Sequence, residues 1–490
     1  MWLDVATARG VTDAGRAVPA RIGGRRTRPQ LTDLLETALA AGAERALLTG
    51  PRPPSTWLLV RTPGWSPGAH YLDADMPVGR FTHDATGAKV ELRRAAEWFG
   101  ELVETPADAR AAWELLAHVW GRAFRGGSLF DSPGATGMDG WVRSIANLYA
   151  PPPQLDDDTA ALIRATSPQH RVELFPRAGE LPGFWYLDGR FQYAALTREL
   201  GTGPAVPMTD RAAGDHFALD PYGRARYLVD ATVPAGWDGP GVLMAPYGDS
   251  PHDGWHAPRL PGQTLTTWCD GAELRLLAAY GWRYTIREGL AFTAGRPLDT
   301  WTARILRARD AVDATLHPGA SVPHADAVRG ALRSILLHTI GGFHSTGRDV
   351  TRVIDNPIEY RGAGTVTERG DVWVVRERAE LSGRNLAFRH PEWSSQVWAR
   401  GHARILESPT GDRARWAGAA QLPLDHLVGI RGDALYLTED PGWPDDGRVG
   451  RLRVKGHLHG PLPAPGSFSD LNDLRERAER NGGKCQTCAS

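Results

Sequence analysis

Only three of the 490 residues are cysteine, Cys269, Cys485 and Cys488. That is too few for a disulfide framework, and it fits a reducing compartment. No apolar run reaches the roughly 20 residues a membrane helix needs. The opening MWLDVATARG lacks the basic start and apolar middle of a signal peptide. A cytoplasmic protein with no membrane attachment is the expectation. Neither sign of charge is in excess, since 56 Lys and Arg face 57 Asp and Glu. A net charge of −1 does not announce a nucleic-acid binder through the overall field. The terminal Cys485-Gln-Thr-Cys488 is at best half a zinc site, and it reads as a tail thiol pair.

At 42% hydrophobic and 23% charged residues the chain has ordinary globular composition, and its length suits two to four domains. Short apolar strands are expected at Trp2 to Val5, Ala46 to Leu48 and Trp57 to Val60. An amphipathic helix follows around 106–120, with Ala111, Leu115, Leu116 and Val119 as its core face. LFDSPGATGMDGWVRSI (129–145) reads as a Gly/Pro turn and cap running into a helix, its spacing fitting no phosphate loop. Pro151 to Pro153 followed by Asp156 to Asp158 is the best linker candidate. It puts the first domain over 1–155.

Two aspartates organise the rest of the chain. In FWYLDGRFQYAAL (184–196), the apolar run Phe184 to Leu187 reads as a strand buried on both faces that delivers Asp188 at its end. In LVGIRGDALYLTED (427–440), two apolar runs flank an Arg431-Gly432 turn and leave Asp433 at a hairpin tip. Alone, Asp433 is ordinary turn chemistry. Two carboxylates at strand ends so far apart in sequence meet only if the strands share a sheet, and at about 4 Å they repel unless divalent cations lie between them. Between them, 225–233 and 242–246 read as paired strands, 271–280 and 296–312 as helices, and the region after 280 as two more strands. The helix in 327–348 buries Val328, Leu332, Ile335 and Leu336, holds Arg329, Arg333 and His338 off that stripe, and ends at Gly341-Gly342. Residues 349–389 are strand-rich, 394–406 are helical, and 450–460 form a strand that aims Arg451, Arg453 and Lys455 to one face. The last thirty residues look too polar for a further domain.

The order of these parts resembles the family B DNA polymerases, most closely their protein-primed group, over about 180–460. DGRFQYAAL (188–196) is similar to their motif A, which implies that Asp188 is a metal ligand and that Tyr193 crowds the sugar 2′ position. RSILLHTIGG (333–342) resembles motif B. His338-Thr339 stands where Asn-Ser is usual, Gly342 matches the family glycine, and Ser334 occupies the place of the motif lysine. The phosphates would then fall to Arg333 or Arg329. IRGDALYL (430–437) resembles motif C, with the second aspartate kept as Asp433 and the first replaced by Arg431. KGH (455–457) resembles the lysine-x-tyrosine motif near the primer end, with His457 for tyrosine, and Arg453 lies beside it.

The resemblance implies an α+β polymerase right hand with an antiparallel palm sheet and helical fingers. A degenerate exonuclease-like α/β domain would precede it, because Asp4 is present in LDVATARG (3–10) but Ala6 replaces the expected glutamate. Palm and fingers would occupy 156–460, and 461–490 would be a short thumb remnant or tail. The implied activity is two-metal transfer of dNTPs to a DNA or protein primer with Mg²⁺ or Mn²⁺ held by Asp188 and Asp433. DNA, dNTPs and a terminal primer protein are the implied partners. Two other readings stay open: a non-catalytic polymerase relative that binds DNA or maintains ends, and a specialised enzyme of untemplated synthesis in defence.

Overall fold

The computed structural model describes the chain apart from residues 25, 55–56, 58–61, 74–75, 146–151, 249–253, 315–323, 355, 371, 381–385, 387, 408–415, 444–446 and 486–490. The chain divides into two compact units, Met1–Ser144 with Ala303–Arg389, and Ile145–Thr302 with His390–Ser490. The chain thus leaves the first unit close to the proline-rich linker and returns to it later, with the whole 327–348 helix.

Among the described residues the first unit is built on a ten-stranded mixed sheet. Trp2–Asp4, Arg45–Thr49 and Lys89–Arg94 run parallel at its centre. Gly347–Ile354 and Val372–Glu380 extend it antiparallel. Leu3, Ala46, Leu48, Val90 and Leu92 bury one face against Leu34, Leu35 and Ala38 of helix Leu31–Ala40. Most of the strand expected at 57–60 lies outside the described residues. Helix Pro106–Ala123 begins as its sequence indicates, with Thr105 accepting from the Asp108 N–H and Pro106 in the first turn. Its buried stripe is Ala109, Ala112, Leu116, Val119 and Trp120. This face is rotated from the expected Ala111 and Leu115 because the large Trp120 anchors it. Helix Ala325–His344 buries the expected Val328, Leu332, Ile335 and Leu336 but runs through Gly341-Gly342. Ile340 and Phe343 carry the stripe one turn further, and their burial outweighs the glycine pair. The three glycines of 129–145 all lie inside a helix, Pro133–Val142, rather than in a turn. Gly137 comes so close to the long helix that a Cβ there would meet Thr339 Oγ1 at 1.8 Å.

Among the described residues the second unit contains two larger antiparallel sheets and one two-stranded pairing. In the four-stranded one Ala225–Thr232 lies between Arg283–Ala294 and Thr264–Asp270. The expected pairing with 242–246 does not occur; Ala245–Pro246 pairs instead with Trp255–His256. The two strands expected after residue 280 are one long strand, Arg283–Ala294. The five-stranded sheet has the order Leu452–Pro463, Glu180–Gly189, Ala434–Leu437, Leu427–Arg431, Val172–Leu174. One face, with Leu187, Ile430, Leu435 and Leu452, joins the core that holds Tyr227 and Val229 of the four-stranded sheet. The other face, with Phe184, Tyr186, Ala434 and Tyr436, is covered by Leu471, Leu474 and Ala478 of helix Phe468–Cys485. A tail expected to be polar thus supplies a core helix. Cys269 is buried and free; the side chain of Cys485 and all of Cys488 lie outside the described residues.

A buried polar network ties the helices of this unit together. Asp270 caps helix Gly271–Ala279, with Glu273 returning the bond to its N–H. His402 Nδ1 lies 3.2 Å from Glu273 Oε1. Arg226 Nη1 donates to Ser167 Oγ at 2.8 Å. Burial pushes the Asp270 carboxyl up to about 6, against the pull of the Arg400 guanidinium. A folded-state pKa above the unfolded value gives stability that is complete below pH 4 and is lost as pH rises through 6. Asp270→Asn, which can still cap, should match wild type at pH 4 and exceed it by roughly 2 to 3 kcal/mol at pH 7, as read from urea unfolding at the two pH values.

Candidate active site

Register brings the two aspartates to neighbouring backbone positions. Asp188 is the last residue but one of its strand, and Ala434 pairs with it directly. The Gly189 N–H donates to the Asp433 carbonyl at 3.1 Å. Asp433 thus stands beside Gly189 at the mouth of the hairpin, one step from Asp188. Leu427–Arg431 and Ala434–Leu437 are joined by the two-residue turn Gly432-Asp433. Gly432 has φ +61°, the conformation that favours glycine at the first position of a tight hairpin turn. Its N–H donates to the Arg171 carbonyl at 2.8 Å, and the fully buried Arg171 bonds Glu173 and the Gly241 carbonyl, each at 2.5 Å. The tip carrying Asp433 is therefore held from outside the hairpin as well as within it.

On the other edge of the Asp188 strand, Leu452–Pro463 pairs Arg453 with Asp188. The register slips between Val454 and Gly456. Lys455 is the extra residue of this bulge, and its Nζ lies 2.9 Å from Asp188 Oδ2 and 5.5 Å from the centre of the Tyr186 ring. Asp188 is only 4% exposed, and a buried carboxylate requires such a partner. Arg453 Nε is buried with no hydrogen-bond partner among the described residues. Burial raises the Tyr436 hydroxyl above its ordinary range, against Arg475 and Arg431, so it stays protonated at neutral pH.

The other sequence-predicted residues divide between the units. Tyr193 is half-buried on the short helix Gln192–Leu196, which starts from Phe191 in the left-handed region. The Arg190 N–H donates to the Arg451 carbonyl at 2.7 Å, fastening that segment to the Lys455 strand. His457 stacks on Trp185, with 4.6 Å between ring centres and an interplanar angle of 14°. By strand alternation Trp185 is on the opposite face from Asp188, so His457 is not at the carboxylate. Arg329, Arg333, His338 and Gly342 belong to the first unit. There Arg329 pairs with Asp326 at 2.7 Å, His338 is exposed, and the Gly342 carbonyl accepts from Arg389. Asp4 accepts from the Thr7 N–H and hydroxyl at 2.8 and 2.7 Å, which is turn chemistry. Among the described residues no three His, Cys, Asp or Glu side chains are grouped to hold a metal.

Over most of its length the chain superposes on Phi29 DNA polymerase bound to primer-template DNA, covering 88% of this chain and 79% of that one at a TM-score of 0.55 and 12% identity. The chain has the fold of Phi29 DNA polymerase. Its ternary complex with primer-template DNA and incoming nucleotides matches over 94% of this chain and 84% of that one, at a TM-score of 0.55 and 11% identity. The complex with single-stranded DNA gives 0.52 and 11%. The group these neighbours represent is the protein-primed family B group indicated by the motif order. No protein-family model and no curated protein sequence matches the chain, so the likeness lies in the fold and not in close sequence identity.

Sequence reasoning missed the contribution of helix Phe468–Cys485 to this candidate site. Its Asn472 Oδ1 accepts from Arg431 Nη1 at 2.5 Å, so Arg431 fastens the helix to the hairpin. Glu479 Oε1 lies 3.6 Å from Lys455 Nζ. Apolar residues at 471, 474 and 478 follow the helical period and were the available signal. The helix lies so close to the sheet that a Cβ on Gly456 would meet the Ala478 carbonyl at 2.0 Å. Gly456→Ala should therefore cost about 1 to 3 kcal/mol of stability and speed amide exchange across 468–482, both measurable by hydrogen exchange under native conditions.

Proposed function

We propose that this chain is a metal-dependent nucleotidyltransferase, a DNA polymerase that adds dNTPs to a DNA or protein primer. The observation that carries the reading is the register that sets Asp188 beside Asp433 at the end of the antiparallel sheet, on a polymerase fold. The donor set fits Mg²⁺ or Mn²⁺, because magnesium is commonly bound through one or two carboxylates and completed by water and substrate phosphates. Asp188 and Asp433 would hold it. When bound, such a metal neutralises charge on the transferring phosphoryl group and makes a primer hydroxyl a better nucleophile.

The rest falls to the protein. Arg453, whose Nε has no hydrogen-bond partner among the described residues, and Lys455 provide cations for phosphate oxygens. Tyr193, five residues beyond Asp188, takes the position that its motif gives to the sugar-contacting residue. Arg329, Arg333, His338 and Gly342 are assigned to the nucleotide, and His457 to the primer end, by motif resemblance alone. The domain roles proposed are a degenerate exonuclease-like domain over 1–155 without its full carboxylate set, palm and fingers over 156–460, and a short thumb remnant or tail over 461–490. Among the described residues no helix is long and apolar enough to cross a membrane.

A second reading, a non-catalytic DNA-binding relative, is favoured by the ion pair that already neutralises Asp188. One assay separates the two. Labelled dNTPs with Mg²⁺ or Mn²⁺ are incubated with primed template, with template omitted, and with no added primer. Incorporation by the wild-type chain should fall by about 10³-fold in Asp188→Asn and in Asp433→Asn, the several kcal/mol that metal-borne charge stabilisation supplies. Equal rates in wild type and both variants refute the mechanism. Retained DNA binding with no incorporation by wild type favours the second reading.

A further inference from the structure

Lys455 stands between two unequal carboxylates. Its Nζ is 2.9 Å from Asp188, whose side chain is 5% exposed, and 3.6 Å from Glu479, whose side chain is 45% exposed. The bulge in the Lys455 strand makes the first contact, and the C-terminal helix makes the second. That helix is held close to the bulge. A Cβ on Gly482 would come within 2.3 Å of the Lys455 carbonyl, and one on Gly456 within 2.0 Å of the Ala478 carbonyl. Glu479 is thus anchored one short swing of the lysine side chain from Asp188. Lysine suits the role, as a compact charge on a flexible stem.

We propose that Lys455 is a resident counter-ion of Asp188 which a divalent cation displaces onto Glu479. The inference rests on the metal-dependent reading of the Asp188 site. Without metal, the ammonium compensates a buried carboxylate that would otherwise be costly. A divalent cation on Asp188 repels the neighbouring ammonium and replaces its attraction with a stronger one. Glu479 then receives the lysine, so the two positive groups part while each keeps an anionic partner. Glu479 is a positioning residue in this exchange and touches neither metal nor substrate. The exchange also sets a threshold: metal must outcompete an internal cation before Asp188 is free to serve it.

The test is Mn²⁺ binding to the full chain without nucleotide or DNA, followed by electron paramagnetic resonance of free Mn²⁺. Lys455→Met and Lys455→Gln should each tighten binding by about 10-fold, and Glu479→Gln should weaken it by about 3-fold, as removal of a competing cation and of its receiver requires. Lys455→Met with Glu479→Gln should equal Lys455→Met alone, because Glu479 acts only through the lysine. Thermal unfolding of each variant establishes that it is folded. Unchanged affinity in both lysine variants, or equal weakening by Glu479→Gln with and without Lys455, overturns the exchange. Asp188→Asn separates the two layers. If it abolishes binding while the other effects simply add, the exchange alone fails. If it binds Mn²⁺ as wild type does, the metal-dependent reading fails with it.

Discussion

Strand pairing between Glu180–Gly189 and Ala434–Leu437 is the constraint on which the site depends. About 245 residues of chain separate Asp188 from Asp433, and only this antiparallel register makes them neighbours. Because side chains alternate between faces, a slip of one residue would send Asp188 to the opposite face and exchange the cores on the two sides of the sheet. Those cores resist the slip. Leu187, Leu435 and Ile430 are buried on one face, and Phe184, Tyr186 and Tyr436 on the other. The hydrophobic effect thus fixes the position of two charges that contribute little to it.

The charges are then matched locally. A carboxylate as buried as Asp188 is stable only beside a cation, and the neighbouring strand supplies Lys455 by a bulge. The C-terminal helix closes this arrangement, fastened to the hairpin through Arg431 and Asn472 and facing Lys455 with Glu479. Arg431 therefore has a structural role in this chain. The candidate site is a sheet end whose charges are compensated from within.

Much of this was legible in the sequence. Apolar runs ending in a single aspartate marked both site strands, and motif order along 180–460 led to the fold that the structural neighbours share. Hidden from it were features that depend on close packing. The helical stripe of 106–123 was misplaced because Trp120, outside the expected repeat, dominates burial. Gly341-Gly342 looked like a helix end, but Phe343 is buried beyond it. The 461–490 segment looked too polar because three apolar residues suffice for a helix lying against glycine-thinned strands. The return of 303–389 to the first unit had no local signal, since strand partners far apart in sequence are chosen by the whole fold.

The central claim is that Asp188 and Asp433 form one site for a divalent cation. Fe²⁺ with ascorbate and peroxide, which cuts backbone near a bound metal, tests it most directly on the wild-type chain. The account predicts two cleavage clusters, around 186–190 and 431–435, that fade together as Mg²⁺ is added. Cleavage at only one of these segments, or at neither while other sites are cut, would contradict it.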